Sequence, residues 1–119
     1  LYKDHNFDDV DVSHRVIITR DTSFQAKGYV TLHSPDEAIG YLTTSGVKEL
    51  YLIGGGVLNA AFMKKKLITD IHLTITPYVL GAGRLFIFPE DFDAPLTLKS
   101  SKTLSNGRVR LLYKVNKQL

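Results

Sequence analysis

"LYLIGGGVLNAAF", residues 50–62, joins an apolar run to three consecutive glycines and then to a segment with helical spacing. Together with Lys48 and Glu49, the residues Leu50 to Ile53 predict a short buried strand. Beyond the glycines, Leu58, Ala61 and Phe62 recur at the spacing of one helix face. A strand that ends in glycines and turns at once into a helix gathers unpaired backbone N–H groups and the positive end of the helix dipole at one point, where an anion is favoured. Glycine suits that point because a Cβ would hold a phosphate away from the backbone, and because such turns often need φ values that other residues avoid. A glycine pair alone serves equally well as a tight turn with no ligand. The third glycine after the apolar run tips the reading toward a phosphate-bearing ligand. The stretch is not a Walker P-loop, which needs Lys-Ser/Thr after the last glycine, nor is it the GxGxxG fingerprint.

Upstream, "RVIIT" (15–19) is a short β-branched strand that ends in Arg20-Asp21-Thr22-Ser23, and "GYVTLH" (28–33) is a second strand. "SPDEAIGYLTTSG" (34–46) opens a helix, with Ser34 as N-cap, Pro35 at the first helical position, acids in the first turn and Gly46 at the close. Residues 1–14 are polar and aperiodic, with Asp4, Asp8, Asp9 and Asp11, and read as an arm. Downstream, Lys64, Lys65 and Lys66 fall at the end of the second helix, where cations complement its dipole. Ile71, Leu73 and Ile75 then alternate with His72, Thr74 and Thr76 up to Pro77, as in a strand with one polar face. "YVLGAGRLFIF" (78–88) is a glycine-interrupted loop with a short apolar segment. Residues 96–115 read as two alternating strands about Asn106-Gly107, the pair favoured where a tight hairpin needs positive φ. The order predicts an α/β layer, parallel early and antiparallel at its end. "RVRLLYKV" is expected to offer an exposed edge.

At 119 residues with 44% hydrophobic content the chain suits one domain, 1–119. Its 15 Lys+Arg against 12 Asp+Glu are scattered apart from the three lysines, so no basic face speaks for nucleic acid, whereas a phosphate-bearing small molecule is compatible. Absence of cysteine excludes disulfides and thiolate metal sites. His5, His14, His33 and His72 lack ligand spacing, so no metal is expected. No run approaches the ~20 apolar residues of a membrane span, and no signal segment opens the chain. A cytoplasmic protein is the reading. Residue 1 is Leu, and the natural start is expected upstream.

"LIGGGVLNAAFMKKKLITDIHLTITPYVLGAGRLFIF" closely resembles the dihydrofolate reductase superfamily, and within it the reductase domain of riboflavin biosynthesis, the C-terminal part of bifunctional deaminase-reductases. The likeness runs from about Arg15 to the end. It is carried by Leu58-Asn59 after the glycines, by Leu67-Ile68-Thr69-Asp70 before the next strand, by the P-x-[VL]-L-G-x-G pattern from Pro77 to Gly83, and by the closing L-S-N-G hairpin. Ile53 stands where riboflavin-type reductases usually carry Glu and is what dihydrofolate reductases have. The family's opening S-x-D-G-x-[IL] strand and the helix and strand after it have no counterpart in these residues.

The resemblance implies a dihydrofolate reductase-like three-layer sandwich, with a mostly parallel central sheet and a C-terminal antiparallel hairpin. It implies NADPH as cofactor and hydride transfer to a pyrimidine ribosylamino-phosphate of riboflavin biosynthesis, at C1 of a ring-opened ribose imine. A folate reductase or related pterin or pyrimidine reductase is the alternative within the superfamily. A non-catalytic nucleotide-binding or oligomer-forming module, or a general anion-binding domain, stands outside it. Gly54, Gly55, Gly56, Val57 and Leu58 inherit the pyrophosphate role. Thr19 and Arg20 match the place that holds the adenosine 2′-phosphate, and a guanidinium is shaped for bidentate phosphate binding. Ser34, with His33 beside it, precedes the helix that flanks the adenine. Thr74 matches a threonine on a central strand beside the substrate, and Asn59 is placed on the substrate side. No catalytic acid is assigned. A homodimer through the late strands is implied.

Overall fold

The computed structural model describes residues 11–82, 87 and 93–116. Two short strands, β1 (Val16–Ile18) and β2 (Val30–Leu32), pair in parallel with Ile17 opposite Thr31. Backbone bonds from Val30 N to Arg15 O and from Thr19 N to Leu32 O extend the ladder at both ends. Both strands are half-buried, although the β-branched run of β1 predicts a strand buried on both faces.

Helix α1 (Pro35–Thr44) starts where the sequence places it. The extended Ser34 accepts from Glu37 N through Oγ at 3.1 Å, and Glu37 Oε2 in turn accepts from His33 N at 2.7 Å. Two backbone donors at the start are thus satisfied reciprocally, a variant of the capping box shifted one residue outward. Gly46, at φ +70, turns the chain away after the helix. Helix α2 (Gly56–Lys64) lies against α1, and the deeply buried apolar side chains among the described residues belong to this pair: Ala38 on α1, and Ala60, Phe62 and Met63 on α2. Lys65 Nζ reaches Asp36 Oδ1 at 2.7 Å, so the end of α2 is joined to the start of α1.

The C-terminal half is an antiparallel sheet of β3 (Asp70–Ile75), β4 (Leu96–Thr103) and β5 (Val109–Val115) in the order β3-β5-β4. The hairpin turns at Ser105–Gly107, where Asn106 at φ 63 and Gly107 at φ 73 supply the positive angles expected of Asn-Gly. A Cβ on Gly107 would also meet the Pro77 ring at 3.4 Å, so the turn is packed against the end of β3. The β4 ladder is irregular between Leu98 and Ser100, as in a bulge. The whole is an α/β three-layer sandwich with a parallel N-terminal sheet and an antiparallel C-terminal hairpin, the dihydrofolate reductase-like topology.

Three expectations are corrected. Residues 48–53 form no strand: Leu50, Tyr51 and Ile53 are 45%, 69% and 59% exposed, and no ladder partner is found for them among the described residues. An apolar run becomes a buried strand only when neighbouring strands take up its N–H and C=O groups, and among the described residues neither sheet includes this run. The parallel part is accordingly one strand pair, and the strands of the second sheet outnumber it. Finally, β5 is not an edge but the centre of its sheet, bonded to β4 and β3, so among the described residues the edges belong to those two.

Candidate functional site

The chain enters α2 through Gly54, at φ +108, and Gly55, an extended N-cap at φ −69 and ψ −166; the peptide between them is cis. Among the described residues no side chain caps this helix start. The first helical bond runs from Asn59 N to Gly55 O, which leaves the N–H groups of Gly56, Val57 and Leu58 ahead of the ladder. The two helix starts therefore differ. That of α1 is closed by Ser34 and Glu37, with Asp36 adding negative charge, while that of α2 is open and carries no acid in its first turn. A Cβ on Gly55 would meet nothing within 4 Å, so the space outside this residue is open. Val57, 67% exposed, stands beside that space, and Leu58 is half-buried.

Gly54 is restricted on its other side. A Cβ there would lie 3.4 Å from Asn59 Nδ2 and 3.6 Å from its Oδ1. Asn59 Nδ2 donates to Ile87 O at 3.2 Å. Asn59 is expected on the substrate side; the structure uses it to back the glycine turn and tie it to the chain at residue 87.

A second group of expected residues meets at the carboxyl ends of β1 and β2, the end of a parallel sheet where ligands bind in open α/β folds. Thr19 Oγ1 accepts from Asp21 N at 3.1 Å, and Thr19 O accepts from the His33 ring at Nδ1, 3.0 Å away. Arg20 is exposed and has no ion-pair partner among the described residues. Ser34 Oγ is engaged as an acceptor in the α1 cap, and its own hydroxyl proton remains to donate. The glycine turn is not at the same place: the Lys65–Asp36 bridge puts the start of α1 near the far end of α2. Nine residues of helix separate that end from the turn, a length of about 13 Å. The structure thus brings Thr19, Arg20, His33 and Ser34 to one rim and keeps Gly54–Gly56 at another.

Thr74 lies exposed on β3 opposite Arg110 of β5. Alternation of exposed His72 and Thr74 with half-buried Ile71 and Leu73 is as expected, but β3 is an edge strand of its sheet, not a central one. The second glycine of the 77–83 pattern, Gly83, lies outside the described residues, as do Asp4, Asp8 and Asp9 of the arm. Among the described residues no group of three His, Asp or Glu is arranged to hold a metal ion, and no helix is long and apolar enough to cross a membrane.

Residues 5–109 match the family model of the RibD C-terminal domain. The chain belongs to that family. It is a reductase-like domain of the dihydrofolate reductase-like fold. The uncharacterized protein YyaP of Bacillus subtilis is 29% identical over 80 residues, which are 67% of this chain and 43% of YyaP. Among solved structures, a pyrimidine reductase-like protein of Corynebacterium diphtheriae matches with a TM-score of 0.70 at 18% identity, over 87% of this chain and 50% of its own. RibD of Acinetobacter baumannii matches with a TM-score of 0.71 at 19% identity, over 94% of this chain and 41% of its own. The chain thus spans about half or less of each of these proteins. At such identities the structural matches establish the fold.

Two contributors at these rims are not among the expected site residues. Glu37 closes the α1 cap, and its signal was the Ser-x-x-Glu spacing from Ser34. The carbonyl of Ile87 had no sequence signal, because a backbone acceptor distant in the chain leaves no mark on residue type.

Proposed function

We propose that this chain is the cofactor-binding part of an NADPH-dependent reductase of the riboflavin-biosynthesis type, acting on a pyrimidine ribosylamino-phosphate. The observation that carries the reading is the uncapped start of α2. A Cβ on Gly55 would stand in open space, and the N–H groups of Gly56, Val57 and Leu58 lie ahead of the first helical bond, which suits a pyrophosphate at this helix start. Gly54, Gly55 and Gly56 would hold that group, with Val57 and Leu58 contributing backbone N–H groups. Thr19 and Arg20 would hold the adenosine 2′-phosphate, Arg20 by its exposed guanidinium and Thr19 by its hydroxyl. The separation of the two rims suits a ligand whose phosphates lie at separate points. When bound, NADPH supplies the hydride that reduces an electron-poor carbon of the substrate. The protein orients the two partners and excludes water; Thr74 on β3 is assigned to the substrate side, and no described side chain is assigned as proton donor.

Ile53 favours one other reading, a pterin or folate reductase of the same superfamily, which carries an aliphatic residue there. A homodimer is proposed with either, through β4 or β3, which are the edge strands among the described residues, and not through β5.

Titration calorimetry of NADPH and NADH against the full-length protein and its Arg20→Ala variant tests the cofactor. Removing a charged phosphate clamp costs about 1.5–3 kcal/mol, so NADPH affinity is expected to fall tenfold or more to the NADH level. Failure of the wild-type protein to bind either cofactor would leave the glycine turn as a structural element and favour a non-catalytic module. Turnover with a pyrimidine ribosylamino-phosphate against dihydrofolate then separates the two substrate readings.

A further inference from the structure

Residues directly opposite one another in a sheet carry their side chains on the same face. Thr74 of β3 stands opposite Arg110 of β5, and Arg110 stands opposite Lys102 of β4, so the three form one row across the sheet. All three are exposed. The rows beside it on this face are His72, Leu112 and Ser100, then Asp70, Lys114 and Thr97. The other face carries Ile71, Leu73 and Ile75 against Tyr113, Leu111 and Val109, so the row lies on the polar side. The hairpin turn next to the row is held in place. A Cβ on Gly107 would meet the Pro77 ring, and Arg108 is committed within the turn, donating from Nε to Ser105 O at 3.3 Å.

Two cations directly opposite each other destabilise a strand pair unless an anion joins them. Asp70 stands opposite Lys114 and balances it, but the row of Thr74, Arg110 and Lys102 contains no carboxylate. Among the described residues neither Arg110 nor Lys102 has an ion-pair partner. Lysine on an edge strand such as β4 also guards against pairing with another chain. Arg110 has no such duty, because β5 is central.

We propose that Arg110 and Lys102 bind the phosphate of the substrate, beside Thr74, and so select a phosphorylated substrate over its dephosphorylated counterpart. The inference rests on the reductase reading above and gives the substrate's phosphate its residues. A phosphomonoester carries about −1.5 to −2 charges near neutral pH, which matches two cations and removes their repulsion. Neighbouring strands lie about 4.8 Å apart, so one phosphate group can meet side chains from both β5 and β4. The guanidinium presents paired N–H groups to two phosphate oxygens, and the ammonium adds a point charge. Thr74, at the β3 end of the row, then faces the part of the substrate that adjoins the phosphate.

The test measures Kd by calorimetry on the full-length protein saturated with NADP+, for a pyrimidine ribosylamino-phosphate and for the same compound without its phosphate. Wild-type protein is compared with Arg110→Gln, Lys102→Gln and, as a control two rows away on the same face, Lys114→Gln. Affinity for the phosphorylated compound is expected to fall about tenfold or more in Arg110→Gln and several-fold in Lys102→Gln. Affinity for the dephosphorylated compound and for NADPH is expected to stay at the wild-type level in both, and Lys114→Gln to match wild type throughout. Thermal unfolding of Arg110→Gln is expected at or above the wild-type midpoint, because a repulsion is relieved. Should that variant fail to fold, Lys102→Gln on the exposed edge strand carries the comparison. An undiminished preference for the phosphorylated compound in the folded variants would overturn this inference alone. So would an equal loss in Lys114→Gln, or a loss of NADPH affinity in place of substrate affinity, which would give the row to the cofactor. Wild-type protein that binds NADPH but not the ribosylamino-phosphate would overturn the inference together with the substrate reading, and absence of NADPH binding would overturn both with the reductase reading.

Discussion

The side-chain amide of Asn59 donates to the carbonyl of Ile87 at 3.2 Å while the same amide stands behind Gly54. One side chain on the first turn of α2 thus joins the glycine turn to a point 28 residues further along the chain. Asn59→Ala is expected to destabilise the protein by about 1 kcal/mol in urea unfolding, the net value of one hydrogen bond, and to weaken NADPH binding with it. Asn59→Asp should do no better, because a carboxylate has no proton to give the Ile87 carbonyl. Wild-type stability in the Asp variant would show that shape alone matters at this position.

Gly54 and Gly55 are adjacent but differently constrained. Gly54 sits at φ +108 with Asn59 close behind, so Gly54→Ala is expected to cost about 1–3 kcal/mol of stability, the usual range for a side chain forced into a sparsely populated backbone region. Gly55 faces open space at an ordinary φ. Gly55→Ala should therefore unfold near the wild-type midpoint and yet lose cofactor, since its methyl would occupy the space assigned to the pyrophosphate. Undiminished NADPH affinity in a folded Gly55→Ala protein would remove the phosphate from this turn.

Ser34 has a structural duty that can be separated from any contact with cofactor. Ser34→Ala removes the acceptor for Glu37 N and is expected to destabilise α1 by about 1 kcal/mol, whereas Ser34→Asp restores the cap. Thermal unfolding reads the cap. NADPH titration of Ser34→Asp reads the phosphate, because a carboxylate caps a helix as well as a hydroxyl but repels an anion.

The Lys65–Asp36 bridge is short, but its side chains are 44% and 78% exposed. Exposed pairs contribute about 0–1 kcal/mol. Asp36→Ala is expected to change stability by less than about 0.5 kcal/mol and to show little salt dependence; a larger loss in chemical denaturation would mean that the bridge, and not apolar burial between α1 and α2, holds the two helices together.

Tyr51 offers a spectroscopic check on the segment before the glycines. Its hydroxyl donates to Glu49 Oε1 at 3.0 Å, and that bond, followed by the carboxylate's charge and then by desolvation, raises the phenol above its usual value. The folded pKa is raised, so any stability from the pair is present below the unfolded value and is lost as pH rises through the folded one. Glu49→Gln is expected to lower one tyrosinate transition in an ultraviolet absorbance titration. An unchanged titration would show that the bond is not held in solution.

Local rules carried much of the fold. Ser34, Pro35 and the Asp36-Glu37 pair mark the start of α1 by chemistry that is complete within four residues, and Asn106-Gly107 does the same for the hairpin. The start of α2 was equally legible, since three glycines after an apolar run leave few other readings. What stayed hidden depends on distant partners. The 48–53 run has the composition of a buried strand, yet burial is conferred by neighbours and not by residue type. The central place of β5 could not be read from its own alternation, because a central and an edge strand with one covered face share that pattern. In the candidate site, Thr19 and Arg20 are assigned through a motif at a strand end, while the hydrogen bond that holds the His33 ring depends on the Thr19 carbonyl 14 residues away.

The position of β5 also sets an order of assembly. It meets β4 across a turn of three residues, but it meets β3 only after the long excursion between Ile75 and Val109 has been closed. Loop-closure entropy rises with the length enclosed, so the β4–β5 hairpin is the inexpensive step and the docking of β3 the costly one. Substitutions at the hairpin turn should slow refolding, whereas those on the outer side of β3 should chiefly hasten unfolding. The candidate substrate-side residue Thr74 therefore rides on the strand that joins its sheet last and leaves it first.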